Sequence, residues 1–253
     1  MTPSKESAAI VMAAGKGTRM KDPTKAKVMY EILGKPLVHY VVALAIELKM
    51  HRIVVVVGYQ KDVIMSYLKR SHPSVECVVQ EQQLGTGHAV MQATGVLRDF
   101  SGYVIVLSGD VPLLTKKSVD ALISYHLQSG AKATILTADM PNPTGYGRIV
   151  RNQDGTVGKI VEHRDATPEE IKVREINSGI YVFEKENLFE GLEHINANNV
   201  QHEYYLTDIF GYFAKRQWKV SGLKATSIDE IRGINTFEQL EEARKLMEIG
   251  IGQ

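Results

Sequence analysis

Two hydrophobic rhythms alternate along the chain. Short apolar or β-branched runs at residues 8–14, 52–57, 75–79, 103–107 and 131–138 read as strands buried on both faces. Between them, segments 37–49, 62–70, 86–98 and 115–129 place apolar residues on one side at helical spacing, with Pro36, Thr86 and Thr115 suited to helix starts. This alternation predicts an α/β fold with a doubly wound, mostly parallel (Rossmann-like) sheet. After residue 140 the pattern changes. Segments 146–151 and 156–161 flank Asp154-Gly155, a hairpin signature. A strand at 180–183, helices at 188–195, 203–216 and 237–249, and a strand at 218–224 complete the expectation. No linker or repeat interrupts the chain, so residues 1–253 are expected to form a single domain, with the antiparallel insertions as a lid or side wall.

Sheets of this class bind ligands outside the carboxyl ends of their strands. Three loops are predicted there: Gly15-Lys16-Gly17-Thr18-Arg19, then Gln80 to Thr86, then Gly109-Asp110. The first follows the strand at 8–14, and its glycines admit positive φ and close approach of a ligand. Successive backbone N–H groups in such a turn make an anion nest, and Lys16, Arg19 and one of Lys25 or Lys27 add full charge. A glycine-rich strand exit is often only a turn; the concentration of cations is what favours phosphate here. The spacing lacks the Gly-Lys-Ser/Thr of a mononucleotide P-loop, and Met20 stands where a dinucleotide fingerprint needs its third glycine.

Composition narrows the partners. A net charge of +1 gives no general attraction to nucleic acid or an anionic membrane, so phosphate affinity must be local. The apolar runs are too short to span a bilayer, and the short polar stretch 1–7 does not read as a signal peptide. Cys77 is the only cysteine, which excludes an intrachain disulfide and fits a reducing, cytoplasmic setting. The eight histidines show no zinc-ligand spacing, and a Gly-x-Ser-x-Gly nucleophile elbow is absent. Asp110, expected to stand exposed over the sheet edge, suits Mg²⁺, which takes one or two carboxylates with phosphate oxygens. Asn235 could add a neutral oxygen, and Glu162 and Asn177 could bond sugar hydroxyls. Each of these, taken alone, also fits a turn or surface polar group.

Together the segments Ala13-Ala14-Gly15-Lys16-Gly17-Thr18-Arg19-Met20, Gln83-Leu84-Gly85-Thr86-Gly87-His88-Ala89, Gly109-Asp110-Val111-Pro112-Leu113 and Gly145-Tyr146-Gly147-Arg148-Ile149 resemble the sugar nucleotidyltransferases. Ile160-Val161-Glu162-His163, Glu175-Ile176-Asn177-Ser178-Gly179, Glu203-Tyr204-Tyr205-Leu206-Thr207-Asp208 and Gly233-Ile234-Asn235 extend the likeness over nearly the whole chain. It is greatest to the pyrophosphorylase domain of the bacterial N-acetylglucosamine-1-phosphate uridyltransferases.

The resemblance implies Mg²⁺-dependent transfer of uridylyl from UTP to N-acetylglucosamine 1-phosphate, in cell-envelope biosynthesis. Alternatives are another hexose 1-phosphate or dTTP as substrate, and a non-catalytic nucleotide-sugar-binding subunit. It further implies that Ala14, Gly15, Lys16, Gly17, Gln80, Gln83, Gly85 and Thr86 bind the nucleotide and that Arg19, Lys27 and Asp110 serve catalysis. Gly147, Glu162 and Asn177 would bind the sugar, and Asp110 and Asn235 the metal. The chain departs from the family at Ala26, usually proline, at Ser108, usually aromatic, and mildly at Ser178 and Thr236. Residues 1–253 carry no β-helical acetyltransferase repeats, so neither that activity nor its trimer is expected of them.

Overall fold

The computed structural model describes residues 6–20 and 24–250. Residues 1–5 of the polar N-terminal stretch and 21–23 of the basic loop lie outside the described residues. The first strand, β1 (Glu6–Ala13), leads through 3-10 turns at Thr18–Met20 and Lys27–Met29 to a small hairpin, β2 (Glu31–Ile32) and β3 (Lys35–Pro36). Then follow α1 (Leu37–Glu47), β4 (Arg52–Val57), α2 (Lys61–Ser71), β5 (Glu76–Val79), α3 (Thr86–Met91), β6 (Gly102–Ser108), α4 (Lys116–Ser129) and β7 (Ala133–Asp139). The second half adds β8 (Arg148–Arg151), β9 (Val157–Val161), α5 (Pro168–Ile171), β10 (Glu175–Glu184), α6 (Lys185–Leu192), α7 (Ile209–Lys215), β11 (Val220–Lys224) and α8 (Phe237–Glu248).

Among the described residues, nine strands form one sheet with the central order β11-β7-β10-β6-β1-β4-β5, and β8 and β9 attach through β10. β1 pairs in parallel with β4 on one side and β6 on the other. The chain moves outward from β1 to β4 and β5, then returns across β1 to β6. That reversal puts a topological switch point beside β1, where such sheets open a crevice. Successive residues of β1 serve opposite faces, as strand geometry requires. Ala9, Val11 and Ala13 pack with residues of α1, α2 and α4. Ala8, Ile10 and Ala14 pack with residues of α3, α6 and α7.

The expected parallel core is present, with one difference of placement. β10 runs antiparallel between β6 and β7, inside the sheet rather than in a lid. It is longer than the expected strand at 180–183 because a bulge between Asn177 and Tyr181 carries the pairing onward. Gly179, at φ +78°, turns there in a conformation that side chains disfavour. Local side chains satisfy its backbone: Gly179 N donates to Asn177 Oδ1 at 3.1 Å, and Ile180 N to Ser178 Oγ at 3.1 Å.

Two helices are shorter than their periodicity suggests. The expected helix 86–98 ends at Met91 and continues as turns, as Thr94 and Gly95 favour. The expected helix 203–216 begins only at Ile209, because Tyr204 uses its backbone elsewhere, donating to Leu84 O at 2.8 Å and accepting from Gly87 N at 2.7 Å. No described helix is long and apolar enough to cross a membrane.

Candidate active site

Gly109 N donates to Met12 O at 2.9 Å, tying the exits of β6 and β1 together at the switch point. From that tie the chain presents Asp110 beside the glycine loop. Lys27 reaches it from the second 3-10 turn, and its ammonium donates to Asp110 Oδ2 and, at 3.1 Å, to Asn235 Oδ1. Asn235 arrives from the start of α8. Its backbone N–H donates to Gln239 Oε1 at 2.7 Å, Thr236 caps the helix by accepting from Gln239 N at 3.3 Å, and Ile234 N donates to Asp110 O at 2.9 Å. Three residues far apart in sequence thus meet at one ammonium group. The expectation that Asp110 stands exposed is corrected: its side chain is 15% accessible, because Lys27 and the Gly233 backbone cover it.

The structure separates the two candidate lysines. Lys25 lies 3.8 Å from Glu31 and 5.3 Å over the Tyr30 ring, whereas Lys27 enters the site. Gln60 holds the preceding segment, accepting from Ala26 N at 2.8 Å and donating to Thr24 O at 2.7 Å. The sequence pattern gave Gln60 no role. Its single signal is its position just past a strand's carboxyl end.

Two clefts meet at this point. One, of about 480 Å³, is lined by Ala14, Gly15, Lys16, Gly17, Gln80, Gln83, Gly85 and Thr86 together with Glu203. Every residue that the sequence assigns to the nucleotide lies on it. The other, of about 240 Å³, is lined by Arg19, Tyr146, Ser178 and Asn235. Lys27, Ser108 and Asp110 belong to both walls. A larger hollow of about 880 Å³ opens among α1, α4 and α8, but none of the candidate residues lines it.

The first cleft owes its floor to a buried amide. Gln80 Nε2 donates to Gly85 O at 3.0 Å and lies 3.1 Å from His88 Nδ1, while Gln83 Nε2 donates to Gln80 O at 3.0 Å. Thr86 is not the helix cap expected from sequence. Gly85 holds that position, and Thr86 Oγ1 instead accepts from Leu206 N at 3.0 Å.

Gly147, Glu162 and Asn177 lie side by side. A Cβ built on Gly147 would stand 3.5 Å from both Glu162 Oε1 and Asn177 Cβ. They line neither cleft themselves, but Tyr146 and Ser178, their chain neighbours, line the second. Two residues assigned no role from the sequence hold them. Tyr181 OH accepts from Asn177 Nδ2 at 2.6 Å, and Thr207 Oγ1 donates to Glu162 Oε1 at 3.0 Å. Burial raises the pKa of the Glu162 carboxyl, opposed by the Thr207 bond. The buried Arg148 braces the wall, donating to Tyr146 O and, at 3.1 Å, to His163 Nδ1. Removal from water lowers the Arg148 pKa. Since arginine only donates, His163 Nδ1 is the acceptor.

A nucleotidyl transferase family model matches residues 8–227. The chain belongs to the nucleotidyl transferase family. It is 44% identical over 97% of its length to the bifunctional protein GlmU of Halalkalibacterium halodurans, covering 53% of that protein. It is 46% identical over 94% of its length to the GlmU of Acetivibrio thermocellus, covering 51% of it. The chain thus spans about half the length of these relatives. The crystal structure of a UDP-glucose pyrophosphorylase complexed with UDP-glucose shares the fold, with a TM-score of 0.77 over 96% of this chain and 99% of that one at 20% identity.

Proposed function

We propose that this nucleotidyltransferase moves a uridylyl group from UTP to N-acetylglucosamine 1-phosphate, releasing pyrophosphate. One observation carries the reading: a nucleotide-sized cleft and a second polar cleft share Lys27 and Asp110 as a common wall. An α-phosphate at that wall would face a sugar phosphate entering from the other side. Gln80, Gln83 and the backbone at Gly85 and Thr86 supply amide groups that match the alternating carbonyl and N–H edge of uracil. Glu162 and Asn177, packed beside Gly147, offer one acceptor and one amide to an N-acetylated sugar. The likeness to the GlmU proteins over this half of their length favours the same choice.

A sugar phosphate oxygen attacks the α-phosphorus, and the bond from that phosphorus to the bridging oxygen of pyrophosphate breaks. The attacking oxygen is already anionic, so this chain needs no activated nucleophile. Its task is alignment and charge neutralisation. Lys16 flanks the triphosphate in the first cleft, Arg19 faces the incoming sugar phosphate in the second, and Lys27 sits between them. The donor set suits a divalent cation of the Mg²⁺ type: one carboxylate and one amide oxygen already converge on a cation, the Lys27 ammonium. Asp110 and Asn235 would hold the metal, which when bound neutralises phosphate charge.

Pyrophosphate release measured over a grid of nucleoside triphosphates and sugar 1-phosphates tests the reading. UTP with N-acetylglucosamine 1-phosphate is expected to give the highest kcat/KM. A higher value with glucose 1-phosphate or dTTP overturns the assignment of substrate, and UTP binding without turnover on any sugar phosphate favours a non-catalytic subunit.

A further inference from the structure

The oxygens that the reading above gives to the metal are the same ones Lys27 now uses. Its ammonium donates to Asp110 Oδ2 and to Asn235 Oδ1, and the Lys27 and Asp110 side chains are 16% and 15% accessible. An ammonium and a divalent cation repel each other strongly at such range, and more so away from bulk water. They compete for one place.

The stem of Lys27 is fixed while its head has somewhere to go. A Cβ on Gly17, at φ +66°, would overlap Lys27 Cβ, so the aliphatic chain lies against the glycine loop. The ammonium stands on the wall shared by both clefts, beside the first one with Lys16. Rotation about the outer bonds of the side chain carries it from the carboxylate into that cleft.

We propose that Lys27 is a placeholder at the metal site, holding Asp110 and Asn235 together and yielding them to a divalent cation when polyphosphate arrives to take its ammonium. The proposal rests on the assigned triphosphate and metal positions. It makes Lys27 a positioning residue for the metal ligands in addition to any contact with phosphate. Metal and nucleotide then favour one another reciprocally, since each removes an obstacle to the other.

The test uses Mn²⁺ alone, titrated into the whole chain and followed by the electron paramagnetic resonance of free Mn²⁺, so that no turnover is needed. Lys27→Met keeps the stem and removes the ammonium. It is expected to bind Mn²⁺ about tenfold more tightly than the parent protein, within the usual range of coupling between sites. Lys16→Met removes an equal charge from the same cleft without touching either oxygen and is expected to change Mn²⁺ affinity by less than about twofold, as screening of exposed charges implies. Lys27→Arg keeps a donor of the same charge and is expected to leave Mn²⁺ binding weak. Circular dichroism checks the fold, and Lys27→Gln carries the comparison where the methionine variant does not fold.

Equal or weaker Mn²⁺ binding by the Lys27 variants overturns the proposal, as does an equal gain in Lys16→Met, which would make the effect one of bulk charge. Failure of the functional reading is read separately, by calorimetry. The parent protein would then bind no UTP in the presence of Mn²⁺, whatever the Mn²⁺-only series gives.

Discussion

A Cβ on Gly85 would stand 2.6 Å from the carbonyl oxygen of Tyr204. Gly85 also adopts φ +110°, which side chains rarely do. A segment more than a hundred residues downstream therefore closes the loop that carries Gln80 and Gln83, and Leu206 N reaches Thr86 Oγ1 at a separation of 120 residues. Gly85→Ala is expected to cost about 1–3 kcal/mol, the scale of a strained backbone position. UTP affinity should fall at least as steeply as thermal stability. Calorimetry of UTP binding beside a thermal melt checks this; unchanged affinity would show that the loop does not shape the nucleotide cleft.

Asn177 is held at both ends of its amide, by Tyr181 OH and by Gly179 N. Tyr181→Phe removes the first bond and leaves a polar group without its partner, a loss of about 1 kcal/mol. The expected kinetic effect is a several-fold rise in KM for the sugar phosphate, with KM for UTP unchanged. A rise in both would place Asn177 outside the sugar site.

Asp208 gives the stability a pH dependence of known sign. The residue is exposed as a whole, yet protein atoms desolvate its carboxyl and Asp165 repels its charge, raising its pKa from 3.8 to about 6, opposed by a bond to Asn199. Below the lower value the acid is neutral both folded and unfolded. As pH rises past it, the unfolded chain ionises first, so the folded state loses stability until pH is about 6 and then levels off. Asp208→Asn removes this loss. The melting temperature of the variant minus that of the parent should grow between pH 4 and 6 and then stay constant, whereas a difference independent of pH would contradict the assignment.

The fold was largely legible because the buried parallel strands are short, continuous β-branched runs, as in Arg52–Val57, and their length and branching mark them as strands where periodicity alone would not. The antiparallel place of β10 was not, because strand direction depends on pairing across distant segments and leaves no local mark. Periodicity also misread residues 203–208. Their helical spacing was outweighed by backbone bonds from Tyr204 to the loop before α3. At the candidate site, residues named for charge or for glycine, such as Lys16, Gly17 and Asp110, fell together on the clefts. Gln60 received no role because it holds the backbone at Thr24 and Ala26, and Tyr181 and Thr207 because they act through other side chains; these uses are visible only once the chain is folded.

The meeting of two clefts at Asp110 is tested most directly by Asp110→Ala. With saturating UTP, N-acetylglucosamine 1-phosphate and Mg²⁺, the steady rate of pyrophosphate release should fall by about 10²-fold or more, the scale of losing one preorganised electrostatic group. A rate within about threefold of the parent protein, well short of that scale, would remove Asp110 from the reaction and with it the proposed site.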